Sequence, residues 1–258
     1  MAEMLQDLYG AVLRESAPQD TEQLRQLWFD VFGDPPELVD AFLSLLPGMG
    51  CGCVAEREGR ILGAAYLIDG FTLLQPGEAP LRCGYLYAVA VLPDARGHGI
   101  GAAVSRGAAE LGRKRGAELI CTLPAEESLY RWYGEILSLK HQSTRRVFSC
   151  EALPVVVPLD ASEYLLRREA LLQGTPHVLP NASVMEFAAS LCRACGGGLY
   201  ALDDMIFCAY RFRGRWVMPE LLPLSAAERI PGLDSSVHPY LCADRPLPDG
   251  LIWNLTLD

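Results

Sequence analysis

The spacing of apolar residues changes repeatedly along residues 1–150, and each change marks an element. Ala11 to Glu15 reads as a short strand. In "DTEQLRQLWFDVF" the apolar side chains take helical spacing behind Asp20, and Gln23 stands where a capping box places its reciprocal partner. "DPPELVDAFLSLL" predicts a second helix: Asp34 caps it, Pro35 suits its first turn, and Leu38, Phe42, Leu45 and Leu46 share one face. "CGCVAEREGRILGAAYLID" reads as two strands turned at Glu58-Gly59. A Pro- and Gly-containing excursion over 71–82 leads into a long strand from Cys83 to Leu92, whose period places Tyr85, Tyr87, Val89 and Val91 on one face. Ile100, Val104, Ala108 and Leu111 return to helical spacing, which Gly116 ends. "AELICTL" is a buried strand, "PAEESLYRWYGEIL" a helix and "STRRVFSCEAL" a strand. The order β-α-α-β-β-β-α-β-α-β predicts an α/β (α+β) fold with a mixed, mostly antiparallel central sheet flanked by helices.

Parts of this pattern return more faintly. "AFLSLL" around Phe42 resembles "EFAASL" around Phe187, and "ILGAAY" resembles "IFCAY", which ends at Tyr210. In both halves a helix, a Gly-rich link and two strands precede a strand ending in Leu-Pro, at Leu92-Pro93 and at Leu222-Pro223. The two halves diverge from the Leu-Pro pair onward, with "LPDARGHGIG" in the first and "LPLSAAERIPG" in the second. The expectation is a domain over 1–150 and a second, smaller α/β half of related topology over 151–258.

Composition narrows the function. The chain has 258 residues, half of them apolar, and a net charge of −10 with only 22 Lys and Arg. A nucleic-acid binder carries a basic face, so no nucleic-acid partner is expected, and a cationic or amine-bearing substrate suits the balance better. No apolar run is long enough for a membrane span. The N-terminal "MAEMLQDLYG" lacks the basic-then-apolar form of a signal peptide. With nine cysteines, an odd number, these features predict a cytoplasmic protein with reduced thiols. The Cys51-x-Cys53 and Cys192-x-x-Cys195 spacings have no His in ligand register, so they read as small buried hydrophobes and no metal is expected.

The most informative stretch is "VLPDARGHGIG", residues 91–101. A strand runs into Arg96 and three glycines two apart (Gly97, Gly99, Gly101), and a helix starts at once. Consecutive backbone N–H groups before a helix N-terminus make an anion site, and glycines allow positive φ and close approach. Arg96 and His98 add side-chain donors. A dinucleotide fingerprint fits poorly, because the spacing is G-x-G-x-G and the entering strand is the fourth rather than the first. The Gly-Lys-Ser/Thr of a nucleoside triphosphate loop is absent.

Val89 to Pro93 followed by Arg96-Gly97-His98-Gly99-Ile100-Gly101 resembles the Q/R-x-x-G-x-G/A motif of the GCN5-related N-acetyltransferases. The resemblance spans about residues 8–150 and matches the element order above. It implies the acyl-CoA N-acyltransferase fold, with acetyl-coenzyme A as cosubstrate. The amides of Arg96, Gly97, His98, Gly99, Ile100 and Gly101 would then hold the pyrophosphate, and edge groups of Val89 and Val91 would pair with the pantetheine amides. A chain in two halves also resembles members whose second acetyltransferase-like domain is degenerate.

In that family a tyrosine early in the helix after the fifth strand protonates the departing thiolate. Tyr130 and Tyr133 both qualify by type and lie one turn apart, and similarity to the "Y-x-x-x-G-F" ending puts Tyr133 in the acid position. The chain departs from that ending with Leu137-Ser138 in place of Gly-Phe. The fourth strand has no carboxylate to act as base; Glu126 and Glu127 read as a solvated first turn, and the terminal carboxylate of Asp258 is a further candidate. His141, His177 and His238 have no partner in the sequence. The resemblance implies an N-acetyltransferase acting on a small-molecule or peptide amine by direct attack in a ternary complex. The alternative is a catalytically inactive acyl-CoA-binding or regulatory protein.

Overall fold

The computed structural model describes residues 8–253, and its contacts divide the chain into two units. Unit 1 holds the chain up to Phe71, Leu81–Gln142 and Leu241–Pro246; unit 2 holds Thr72–Pro80, Ser143–Tyr240 and the chain from Leu247.

Unit 1 contains β1 (Val12–Glu15), α1 (Thr21–Phe32), α2 (Pro36–Met49), β2 (Gly50–Arg57), β3 (Arg60–Leu74, whose last three residues belong to unit 2), β4 (Leu81–Val91), α3 (Ile100–Lys114), β5 (Leu119–Thr122) and α4 (Glu127–Leu137). Its strands lie in the order β1-β2-β3-β4-β5. β1–β2 and β2–β3 are antiparallel, while β4–β5 is parallel. The element order matches the expectation, but β3 and β4 grow into the 71–82 excursion and leave only 75–80 outside regular structure.

α3 packs on β1, β2 and β4. Its buried Ile100, Val104 and Ala108 meet Cys53 and Leu67 in one core, with Val89 and Val91 of β4 against its edge. Tyr85 and Tyr87 lie among other partners: the Tyr87 ring centroid is 5.4 Å from Phe42 and 5.9 Å from Trp28, and Tyr85 is 6.2 Å from Phe71. The four residues therefore do not share a face. Ala88 has φ +47°, a left-handed residue inside β4, and this bulge advances the alternation by one position.

The first helix is capped differently from the expectation. Asp20 lies in a 3-10 turn (Pro18–Asp20), accepts from the Ala17 amide at 2.7 Å and is gripped by Arg14 at 2.7 and 2.8 Å. Gln23 instead accepts from Ile61 N and donates to Gly59 O, tying the helix to the β2–β3 turn.

Unit 2 contains β6 (His141–Cys150, whose first two residues belong to unit 1), β7 (Val157–Leu159), α5 (Ala161–Leu172), β8 (His177–Pro180), α6 (Ala182–Ala194), β9 (Gly198–Leu202), β10 (Met205–Phe212) and β11 (Arg215–Leu222). The antiparallel order β6-β11-β10-β9-β7 surrounds a core of Phe148, Met205, Phe207, Met218 and Leu221. β12 (Asp234–Ala243) starts in unit 2, and its last three residues belong to unit 1, where Cys242 pairs with Thr122 and Ala243 with Cys121 of β5.

Both units contain a helix, a glycine and an antiparallel hairpin in sequence: α2–β2–β3 and α6–β9–β10. Phe42 and Phe187 are fully buried on the two helices. After α2, a Cβ on Gly50 would stand 2.0 Å from Leu67 O; after α6, one on Gly197 would stand 1.9 Å from Ala209 O. In each unit a glycine lets the chain leave its helix pressed against the backbone of the second hairpin strand. Gly197→Ala is expected to destabilise the protein by about 1–3 kcal/mol, read as a lowered melting temperature, because backbone rather than a side-chain end must yield.

The terminal strand expected at "LIWNLTLD" lies mostly outside the described residues, as does Asp258; within them Ile252 forms one parallel bridge with His177. No described helix is long and apolar enough to cross a membrane. Burial pushes the Cys51 and Cys53 thiols up to about 12 and about 11, which keeps them protonated and unreactive.

Candidate active site

The candidate site of unit 1 begins where β4 and β5 part. Their parallel pairing runs Cys83↔Leu119, Gly84↔Ile120, Tyr85↔Cys121 and Leu86↔Thr122. Beyond Leu86 the bulge at Ala88 turns β4, which stays on β3: the Leu92 amide donates to Leu62 O at 2.9 Å. Leu92 thus faces β3, and strand alternation turns the amides and carbonyls of Val91 and Val89 to the opposite edge. The Val91 carbonyl accepts there from Arg96 Nε at 3.1 Å.

After the 3-10 turn Pro93–Ala95, Gly97 (φ +82°) and Gly99 (φ +77°) both take the left-handed region, which explains glycine at these positions. A Cβ on Gly97 would meet nothing within 4 Å, so the loop opens onto free space. Ala103 is the first amide to close on the helix, onto Gly99 O at 3.0 Å; the first turn of α3 holds no acidic side chain. The N–H groups of Gly97 to Gly101 have no intramolecular acceptor among the described residues, and they precede the positive end of a 15-residue helix.

Two of the expected donors have other engagements. The Arg96 amide donates to Pro93 O at 3.4 Å and its Nε to Val91 O, so Arg96 braces the loop. His98 stacks on Tyr9 with centroids 4.3 Å apart, and the Arg57 guanidinium lies 4.0 Å from the same Tyr9 ring. Val89, Val91, Arg96, Gly97, His98, Gly99, Ile100 and Gly101 lie on one continuous strand–loop–helix segment of unit 1.

Tyr133 sits on α4, 6 % exposed, edge-on to Trp132 at 4.8 Å. Thr122 of β5 and Cys242 of β12 are neighbours of its hydroxyl. Burial, then the Cys242 thiol, push the phenol up to about 12, although the Thr122 hydroxyl opposes the shift. Tyr133 is therefore a neutral proton donor at physiological pH. Thr122 belongs to the last registered pair of β4 and β5, opposite Leu86.

Structure accounts for the departure at the end of α4. Ser138 takes the left-handed cap (φ +59°), and Leu139, 1 % exposed, inserts into the core while its amide reaches Tyr133 O at 3.4 Å. Ser138-Leu139 thus supply a left-handed turn and an apolar plug at the end of the helix, one residue beyond the position the motif suggests.

Glu126 and Glu127 are exposed, and Glu126 accepts from Ser128 Oγ at 2.6 Å. Thr122 escaped sequence reasoning. Its one signal is a lone hydroxyl in the apolar run "AELICTL", and that becomes meaningful only with the strand register.

Residues 12–135 match the family model described as an acetyltransferase (GNAT) domain. The chain is similar to a GCN5-related N-acetyltransferase from Kribbella flavida at 16 % identity and a TM-score of 0.61, covering 91 % of this chain and 71 % of that one. It is similar to a probable N-acyltransferase from Enterococcus faecalis at 10 % identity and 0.62, over 90 % and 72 % of the two chains. A GCN5-related N-acetyltransferase from Anabaena variabilis matches at 14 % identity and 0.61, again over 90 % and 72 %. No curated protein matches the chain. The fold is that of the GNAT superfamily.

Proposed function

We propose that unit 1 is an acetyl-coenzyme A-dependent N-acetyltransferase that transfers the acetyl group to a primary amine by direct attack in a ternary complex. The observation that carries this reading is the strand–loop–helix segment, with a buried neutral phenol at one end and an unspent amide cradle at the other. Leu86 to Val91 of β4 spans roughly 16 Å at a strand's rise per residue, a length suited to an extended pantetheine arm.

The amides of Gly97 to Gly101 hold the pyrophosphate, helped by the α3 dipole. Val89 and the Val91 amide pair with the arm as an added strand would; the Val91 carbonyl is already given to Arg96. This seats the thioester near Leu86, where Tyr133 stands. The acceptor nitrogen adds to the acetyl carbon and loses its proton to solvent. As the carbon–sulfur bond breaks, Tyr133 gives its proton to the departing sulfur, and water restores it. Holding both reactants in register supplies much of the acceleration.

The net charge of −10 favours a cationic acceptor, either a small molecule or a peptide amine. Unit 2 reads as a diverged copy: it keeps the helix–glycine–hairpin but has Leu224–Arg229 as a 3-10 segment where unit 1 has its cradle. The cytoplasm suits nine cysteines that form no disulfide among the described residues.

Calorimetric titration of coenzyme A and acetyl-coenzyme A into wild type and Gly99→Glu tests the reading. Wild type binds, and the variant, folded by circular dichroism, loses at least about 100-fold in affinity because a carboxylate occupies the anion cradle. A folded wild type that binds neither ligand overturns it.

A further inference from the structure

In unit 2 the antiparallel pairing of β6 with β11 is short. It runs Cys150↔Trp216, Ser149↔Val217 and Phe148↔Met218. The next residue of β11 is Pro219, which has no N–H to give a ladder, and the residues of β6 before Phe148 have no registered partner on β11. After β11 the chain folds back, and Ala226 and Ile230 join Phe148 and Met218 in one core. In unit 1 the segment after Leu92-Pro93 covers its sheet with α3, 15 residues and about 22 Å long. In unit 2 the cover is the 3-10 segment Leu224–Arg229, six residues and about 12 Å long. The shorter cover leaves a cavity of about 710 Å³, lined by that segment, by residues 230–235 and by Arg146 and Phe148 of β6.

The lining divides by chemistry. Phe148, Ile230 and Leu233 give it an apolar wall. Arg146 and Glu228 line it as exposed charges of opposite sign, and their side chains form no ion pair or hydrogen bond with each other or with any other described residue. Asp234 also borders the cavity, but its carboxylate is held by Arg215 at 2.5 Å. The volume is that of a small-molecule site. A ligand with a single charge would oppose either Arg146 or Glu228, and a neutral one would leave both unmet.

We propose that this cavity binds a short peptide with free termini and apolar side chains. Its ammonium goes to Glu228, its carboxylate to Arg146, and its side chains to Phe148, Ile230 and Leu233. Arg146 and Glu228 stand too far apart to pair with each other, which suits a ligand that carries its two charges at opposite ends. A single amino acid would fill only a fraction of the volume. Nothing in this site depends on acyl transfer in unit 1.

Calorimetric titration of the full chain with the tripeptide Leu-Ala-Leu tests the site, beside the same peptide acetylated at its N-terminus or amidated at its C-terminus. Wild type binds the free peptide, and each cap weakens binding about 10-fold, the loss of one charge-assisted contact. In Glu228→Gln the acetyl cap costs no more than about 2-fold, while the amide cap keeps its full cost; in Arg146→Gln the pattern reverses. Both side chains are exposed, so neither variant strands a buried partner. Leu224→Trp, which enlarges a lining side chain, lowers affinity for the free peptide at least about 10-fold. A folded wild type that does not bind Leu-Ala-Leu overturns the proposal. So does binding that the caps leave unchanged, that they weaken equally in wild type and in both charge variants, or that Leu224→Trp leaves intact, since the peptide then lies elsewhere. Coenzyme A takes no part in this titration, so failure here leaves the reading of unit 1 standing, and failure of coenzyme A to bind leaves this one.

Discussion

Tyr133→Phe will lower kcat by about 10²–10³-fold and leave the affinity for acetyl-coenzyme A within about 2-fold of wild type. The ring of Tyr133 fills buried space beside Trp132, and phenylalanine fills the same space. Thr122 still has the Leu86 carbonyl to bond, so no buried donor is orphaned and the fold is kept. What disappears is the proton that neutralises the leaving sulfur. Because burial holds the phenol at about 12, it stays protonated as pH rises through neutrality. It is lost as an acid only as pH climbs through that value. Wild-type kcat should therefore show no alkaline fall attributable to Tyr133 up to about pH 10, while the acid limb follows the amine of the acceptor. Steady-state kinetics paired with calorimetry decide this, and full turnover in the phenylalanine variant would take the acid role from Tyr133 while leaving unit 1 an enzyme.

The strand–loop–helix was legible in the sequence because its causes are local. Glycine at 97 and 99 answers a positive φ, and the spacing of Ile100, Val104 and Ala108 answers a helix against a sheet. Non-local features were hidden. The bulge at Ala88 moved Val89 and Val91 off the face of Tyr85 and Tyr87, and no residue type announces it: alanine is not a turn residue. Asp20 looked like a helix cap until Arg14, across the chain reversal, claimed its carboxylate. Thr122 acquires meaning from a parallel register with Leu86, a pairing 36 residues away. Cys242 reaches the neighbourhood of Tyr133 through the last residues of β12, more than a hundred positions later in the chain. Periodicity describes one element at a time, whereas a reaction centre is assembled where several meet.

Glu220→Leu will destabilise the protein by about 3–5 kcal/mol, the cost of removing the one buried carboxylate that partners a buried charge. In unit 2, Glu220 on β11 is fully buried and accepts from Tyr164 Oη at 3.0 Å and from Arg168 Nε at 3.0 and 3.2 Å. Arg168, also fully buried on α5, spends Nη1 on Val178 O at 2.8 Å and Glu169 at 3.1 Å. The network ties α5 to β11 and β8 through groups that water does not reach. Removing Glu220 leaves Arg168 with only the partly exposed Glu169 as counter-charge and strands the Tyr164 hydroxyl, and the melting temperature should fall by roughly 6–20 °C at a few degrees per kcal/mol. The decisive comparison is Arg168→Met in two backgrounds. In wild type it destabilises, because Glu220 is then the stranded charge. In Glu220→Leu it is neutral or stabilising, since an apolar side chain replaces a buried cation that has lost its buried counter-charge. Differential scanning calorimetry of the four proteins reads this change of sign. Additive losses would mean that the two charges do not depend on each other, despite the two hydrogen bonds that join them.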